Sequence, residues 1–404
     1  MSMNETPRGE RVHIALFGRR NAGKSSLINA LTGQTISIVS DVAGTTTDPV
    51  YKAMEILPIG PVVVIDTPGL DDVGDLGRMR VERAQSVLEK TDAAIVVADI
   101  RVGVGDFEKE ILTKIRERKI PAILVLNKTD LTEAPSAEST REISRSLGIP
   151  VIAASGVTGD GIGALKQALI ESLPDRGREK TLVRDLLSVG DLVVLVVPID
   201  SAAPKGRLIL PQQQVIRDVL EAGAISIVTR ETELAATLDG LRQKPALVIT
   251  DSQAFALVSK ITPRDVPLTS FSILFARYKG ELSSLTAGAR ALDKIREGDE
   301  ILIAEGCTHH RQCDDIGTVK LPRWIREYTG CEPKFTFTSG GSYPADVSKY
   351  RLVVHCGGCM LNEREMHYRI RSTDALDVPI VNYGVLIAHM QGILPRVTEP
   401  FGEI

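Results

Sequence analysis

Short apolar runs alternate along the chain with stretches of helical period, and the spacing predicts interleaved strands and helices. In the first third, Val12 to Phe17, Val62 to Ile65, Ala93 to Ala98, Ala122 to Leu126 and Val151 to Ala154 are β-rich, and each ends in a loop carrying Gly, Asp or Asn. Runs of this kind separated by helical segments predict a mostly parallel sheet whose functional loops lie at the carboxyl ends of its strands. The helix Gly161 to Ser172 closes the unit, and the charged segment Pro174 to Lys180 reads as a linker, with a boundary near residue 176.

A second succession follows, with strands at Leu192 to Val197, Ile225 to Val228 and Ala246 to Ile249 and helices around Gln212 to Glu221, Glu231 to Asp239 and Gln253 to Lys260. No phosphate loop or titratable cluster marks it, so the expected role is interaction or dimerisation. The Pro-containing stretch Thr262 to Thr269 reads as the next linker, and strands at Glu300 to Ala304, Leu352 to His355 and Pro379 to Asn382 define a third unit. The expected fold class is α/β, with three domains at residues 1–175, 181–262 and 269–404.

Composition narrows the function classes. The 404 residues are 43% hydrophobic and 25% charged, a globular balance. The 48 basic and 52 acidic residues are interspersed, which argues against a nucleic-acid arm. The segment Met1 to Val12 lacks the apolar core of a signal peptide, and no apolar run reaches about 18 residues, so the expectation is a cytoplasmic protein without membrane or nucleic-acid partners. All five cysteines lie after residue 306, which fits metal ligation in a reducing compartment better than a disulfide framework.

After the first strand, Gly18-Arg19-Arg20-Asn21-Ala22-Gly23-Lys24-Ser25 matches the phosphate-binding loop G-x-x-x-x-G-K-[ST], with Ser26 beside it in the following helix. Its glycines let backbone N–H groups wrap phosphates, Lys24 neutralises β- and γ-phosphate charge, and Ser25 offers its hydroxyl to Mg2+. Asp66-Thr67-Pro68-Gly69 follows a buried strand, so Asp66 is expected to hold Mg2+ through water and the Gly69 N–H to sense the γ-phosphate. Asn127-Lys128-Thr129-Asp130 follows another strand, and the Asp130 carboxylate can accept two hydrogen bonds from guanine that adenine cannot donate. Ser155-Gly156-Val157 stands where a Ser-Ala-x loop contacts the base, with Gly for Ala as a mild departure. The parts select GTP.

Gly44-Thr45-Thr46-Thr47-Asp48 resembles the Gly-Thr-Thr-Arg-Asp switch of the TrmE-Era-EngA group of GTPases, with Thr47 replacing Arg. That resemblance makes Thr46 the residue that senses Mg2+ and the γ-phosphate, and Asn21 a K+ ligand whose ion supplies the charge of an arginine finger. Leu70 follows Gly69 in place of the water-orienting glutamine of Ras-like proteins, so hydrolysis needs other assistance.

Two predicted strands of the third unit run into Cys307-Thr308-His309 and into His355-Cys356-Gly357-Gly358-Cys359. Soft ligands at two strand ends on one rim of the sheet suit zinc, copper(I) or an iron-sulfur cluster, and the two glycines leave room for backbone to wrap inorganic sulfide. Cys-x-His followed by His-Cys-x-x-Cys is the signature of the HydF family of FeFe-hydrogenase maturation GTPases, which the chain resembles along its whole length. The resemblance implies a 4Fe-4S cluster on Cys307, Cys356 and Cys359, with His309 or His355 in an exchangeable fourth position. It also implies a homodimer that takes up a transient di-iron precursor made with radical-SAM maturases and delivers it to the FeFe-hydrogenase apoprotein. A structural zinc site, a redox-sensing GTPase switch and an RNA-modification or ribosome-assembly GTPase remain as alternatives. Cys313 and Cys331 match no part of the signature and are expected to be ordinary thiols.

Overall fold

The computed structural model describes residues 6–33, 49–68, 86–132, 135–173, 180–199, 208–306, 315–340 and 342–402. The chain divides into two compact units, Met1–Arg178 and Glu179–Ile404.

The first unit contains β1 (Val12–Gly18), β2 (Val50–Ile56), β3 (Gly60–Asp66), β4 (Ala93–Asp99), β5 (Ala122–Asn127) and β6 (Val151–Ala154), with helices α1 (Lys24–Thr32), α2 (Asp106–Glu117), α3 (Ala137–Leu147) and α4 (Ile162–Ser172). They form one six-stranded sheet of order β2-β3-β1-β4-β5-β6. All neighbours are parallel except β2 with β3. Strand alternation sorts β1 onto two cores: Ile14 and Leu16 pack with Leu27, Leu165 and Leu169, while Ala15 and Phe17 pack with Ile111, Leu112 and Ile115. A sheet covered on both faces needs such unbroken apolar strands.

The second unit carries two four-stranded sheets. The first consists of β7 (Leu192–Val196), β8 (Ile225–Thr229), β9 (Leu247–Thr250) and β10 (Leu268–Ser270), the second of β11 (Glu300–Glu305), β12 (Lys334–Ser339), β13 (Leu352–His355) and β14 (Ile380–Asn382). Their orders are β10-β9-β7-β8 and β12-β11-β13-β14, parallel throughout. The helices are α5 (Leu210–Glu221), α6 (Leu234–Asp239), α7 (Phe255–Ile261), α8 (Phe271–Lys279), α9 (Leu282–Ala289), α10 (Leu321–Thr329), α11 (Glu363–Asp374), α12 (Tyr383–Met390) and α13 (Leu394–Thr398).

The two sheets are tandem copies of one plan. Each starts with a positive-φ glycine, Gly190 or Gly298, followed by an aspartate whose carboxylate accepts from the backbone N–H three residues earlier: Ser188 to Asp191 at 2.7 Å and Arg296 to Asp299 at 2.8 Å. The aspartate carbonyls then accept from Ile225 at 2.7 Å and from Lys334 at 2.8 Å. At the far edges, Val266-Pro267-Leu268-Thr269-Ser270-Phe271 matches Val378-Pro379-Ile380-Val381-Asn382-Tyr383, and Ser270 and Asn382 each cap the helix that follows.

The copies meet through these equivalent helices, α8 against α12, with the Gly384 N–H donating to Ser272 Oγ at 3.2 Å. The trailing helices are exchanged, α9 lying on β14 and α13 on β10. Arg396 of α13 donates to the carbonyls of Ser259, Thr262 and Pro263 at 2.6, 2.8 and 2.9 Å, capping α7 of the other copy. An approximate two-fold relation follows, and one core joins Val194, Val196 and Val248 to Ile301, Ile303 and Val353.

The stretch Thr262 to Thr269, expected as a linker, is instead part of this packing. Thr262 and Val266 are buried, and Leu268 opens β10. The two segments expected as separate domains are thereby held in one unit. Among the described residues no helix is long and apolar enough to cross a membrane.

Candidate functional site

At the carboxyl end of β1 the phosphate loop is shaped by contacts that exclude side chains. A Cβ on Gly18 would fall 2.4 Å from the Val97 carbonyl, and one on Gly23 would fall 2.1 Å from Asn127 Nδ2. Asn21 and Gly23 adopt left-handed backbone at φ 61° and 90°, which asparagine tolerates and glycine prefers. Lys24 is buried, and its Nζ donates to the Gly18 and Arg19 carbonyls at 2.9 Å each, so the ammonium spans the loop. Ala22 is buried and Ser26 half-buried in this turn.

Ser25 Oγ donates to Asp66 Oδ2 at 2.8 Å, while Asp66 Oδ1 is buried with no hydrogen-bond partner. Burial raises the Asp66 carboxyl above its usual range, against the lowering effects of Ser25, Lys24 and Lys52. A desolvated carboxylate oxygen without a partner beside a hydroxyl is a donor set that fits hydrated Mg2+. Thr67 holds the segment in place, its Oγ1 donating to the Leu16 carbonyl at 2.6 Å. Thr46 and Gly69 lie outside the described residues.

The loops expected to recognise the base converge on the same rim. Asn127 donates from Nδ2 to the Ala22 carbonyl at 2.8 Å and accepts from the Gly156 N–H at 3.0 Å, tying three loops together. Ser155 Oγ donates to Asp130 Oδ1 at 2.5 Å and accepts from the Val157 and Thr158 N–H groups, which orients the Asp130 carboxylate. Lys128 sits at φ 71°, and its Nζ pairs with Asp99 Oδ2 at 2.8 Å. Asp99 also accepts from Arg101 Nε at 3.0 Å and Nη2 at 2.6 Å, and this fork holds its carboxyl well below the usual range. Sequence reasoning missed Asp99. Its signal is an aspartate ending the strand between the phosphate loop and Asn127.

In the second unit the thiols stand where β11 and β13 lie side by side, Ala304 paired with His355. From there the chain turns to β12 on one side and from β13 to β14 on the other, so the rim is a topological switch point, where open α/β sheets bind ligands. The Gly306 N–H donates to Cys356 Sγ at 3.0 Å, and the Cys356 N–H to the Ala304 carbonyl at 3.1 Å. Desolvation pushes the Cys356 thiol up and the Cys359 thiol up to about 11. Two thiols in one turn, one already accepting an N–H, fit a thiolate-bound centre, in which bonding to a cation offsets that desolvation. Cys307, His309 and Cys313 lie outside the described residues, among which no group of three His, Cys, Asp or Glu side chains is placed to hold a metal. Cys331 lies elsewhere, its sulfur against the Ile295 and Thr329 carbonyls.

His355 does not face this rim as an open ligand. Its Nδ1 lies 2.7 Å from the Cys356 carbonyl, which can only accept, so the proton is on Nδ1 and Nε2 accepts from Arg369 Nη1 at 2.9 Å. Burial first, and then the Arg369 charge, lower its pKa to about 3, which keeps the ring neutral. With both nitrogens committed, the expectation of His355 as a metal ligand has no lone pair to rest on.

Three family models match the chain. A 50S ribosome-binding GTPase model covers residues 13–128, a hydrogen maturase F dimerization domain covers 182–280 and a hydrogen maturase F tetramerization domain covers 283–400. The tRNA modification GTPase MnmE of Laribacter hongkongensis is 38% identical over 174 residues, 43% of this chain and 37% of that protein. Its namesake from Synechococcus sp. is 40% identical over 168 residues, 41% of this chain and 35% of that protein. The chain thus spans little more than a third of the length of these curated relatives. Among solved structures, the G domain of the T. maritima FeoB iron transporter is 31% identical with a TM-score of 0.32, covering 40% of this chain and 99% of that one. Era in complex with MgGDPNP and 16S ribosomal RNA is 22% identical with a TM-score of 0.36, covering 54% and 91%.

Proposed function

The chain belongs to the hydrogen maturase F family, and on that premise we propose that it is a GTP-hydrolysing scaffold and carrier for the di-iron subcluster of FeFe-hydrogenase. The observation that carries the reading is the joining, in one chain, of a phosphate loop and the Asn127, Asp130 and Ser155 loops at the end of the first sheet to a thiol turn at the switch point of the third.

On the nucleotide side, Asp130, held by Ser155, accepts from guanine, and Asn127 ties the loop around the phosphates to the base pocket. Lys24 neutralises phosphate charge, while Ser25 and Asp66 hold Mg2+, which stabilises the leaving phosphate charge. Thr46 and Gly69 would contact the γ-phosphate, and Asn21 would help hold a K+ ion supplying the positive charge of an arginine finger.

On the thiol side, Cys307, Cys356 and Cys359 would hold a 4Fe-4S cluster, and three thiolates would leave one iron open to an incoming ligand. His309 remains the protein candidate for that fourth position. Radical-SAM maturases supply the precursor and the hydrogenase apoprotein receives it, with the chain acting as a homodimer in the cytoplasm.

The test is activation of apo-hydrogenase by protein purified from cells that also express the radical-SAM maturases. Lys24→Ala should abolish GTP turnover and lower maturation while keeping the infrared CO and CN bands of the precursor. Cys356→Ser should hydrolyse GTP, lack those bands and fail to activate. Full activation by Cys356→Ser would replace the carrier with a redox-sensing switch.

A further inference from the structure

The tandem copies differ at their rims. Where β13 runs into Cys356-Gly357-Gly358-Cys359, β9 runs into Asp251-Ser252-Gln253-Ala254, so only one copy carries thiols. The thiol-free copy nevertheless reaches the thiol loop of the other.

Lys279, in the last turn of α8, is only 2% exposed. Its Nζ donates to the Leu361 carbonyl at 2.9 Å and to the Cys359 carbonyl at 3.2 Å, and lies 5.6 Å from the centre of the Phe275 ring. Residue 279 falls within the segment matched by the dimerization-domain model, and residues 359 and 361 within that of the tetramerization domain. A buried ammonium is costly unless hydrogen bonds and nearby negative charge offset its desolvation. The carbonyls supply the first, and thiolates in the same turn would supply the second. At the equivalent place after β14 stands Gln391, so the cation is particular to the helix that faces sulfur.

We propose that Lys279 is a positioning residue for the thiol loop: it seats the backbone from Cys359 to Leu361 and places one fixed positive charge beside the anionic sulfur ligands of an iron-sulfur cluster. The inference rests on the reading that this rim binds such a cluster. It gives the dimerisation copy a second task, as one wall of the metal site.

The experiment uses the full chain and the variants Lys279→Gln and Lys279→Arg, reconstituted anaerobically with iron and sulfide. Two quantities are read: the midpoint potential of the bound cluster, and hydrogen exchange of the amides from 356 to 361 in the metal-free protein. Lys279→Gln should shift the potential to more negative values, because reduction adds an electron where a positive charge has been removed, and its loop amides should exchange faster. Lys279→Arg should restore the potential. Should the glutamine variant prove unstable, Lys279→Met, close in shape and uncharged, gives the same comparison. A loaded, folded Lys279→Gln protein with wild-type potential and wild-type exchange would overturn the proposal. Failure of the wild-type chain to take up any cluster would instead remove the cluster reading and with it the charge role, while the exchange measurement would still decide the seating of the loop.

Discussion

Gly156 lies so close to α1 that a Cβ placed on it would come within 2.7 Å of the Leu27 amide nitrogen and 3.0 Å of Ser26 Cβ. The glycine expected to be a mild departure from Ser-Ala-x is therefore a steric requirement of this chain.

Gly156→Ala should force the base loop away from α1 and stretch the 3.0 Å bond from its N–H to Asn127. Overpacking of this kind costs about 1–3 kcal/mol. A lower melting temperature and weaker GTP binding, followed by calorimetry, are the expected results. Wild-type values for both would mean the loop has slack.

Asp130→Asn replaces one acceptor of the carboxylate with a donor and should move preference from GTP toward xanthosine triphosphate. Competition binding of the two nucleotides checks it, and unchanged GTP selectivity would remove Asp130 from base recognition.

Asp99→Asn should release Lys128 and Arg101 together and weaken GTP binding roughly tenfold, the scale of one lost charge-assisted hydrogen bond. Arg101 depresses the folded-state pKa of Asp99, so its contribution to stability is present above the ordinary carboxylate range and is lost as pH falls below it. Between about pH 6 and 8 the carboxylate stays ionised and the variant's deficit should be constant. A deficit that varied across that window would point to another titrating group.

Potassium should raise GTP turnover well above sodium at saturating magnesium if Asn21, held in left-handed backbone at φ 61°, contributes to a site of fixed oxygen spacing. Equal steady-state rates in the two salts would dismiss the ion.

Arg369→Met should destabilise the second unit by about 3–5 kcal/mol, because it strands Glu365 and leaves His355 Nε2 buried without its donor. His355→Gln should likewise lower stability while leaving iron content unchanged. Loss of iron from a folded His355→Gln protein would restore the imidazole as a ligand.

Much of the fold was legible because buried parallel strands need continuous apolar runs, and the strands β1, β3 to β7, β9, β11, β13 and β14 fall within a few residues of such runs. Three of the edge strands were harder. β2 is exposed or half-buried up to its last residue, Ile56, and β12, Lys-Phe-Thr-Phe-Thr-Ser, is nowhere fully buried, so neither has a long apolar run. β10 is three residues long and follows prolines, and that is why it read as a linker. The repeat was present in the matched Val-Pro segments before β10 and β14 but is confined to short stretches. At the nucleotide site the loops were legible because each is a contiguous motif. Asp99, Arg369 and Lys279 were not, because their meaning lies in partners brought near only by the fold.

Since α9 finishes the edge at β14 and α13 finishes the edge at β10, neither copy is completed by the helix that trails it. Helix α13 is therefore a structural part of the copy that lies earlier in the chain. A lesion confined to the segment from Leu394 onward removes the Arg396 clasp on Ser259, Thr262 and Pro263 and bares β10, so its first consequence falls on the copy assigned to self-association, far along the sequence from the damage. The thiol copy, by contrast, has its edge strand β14 covered by a helix that precedes it, α9.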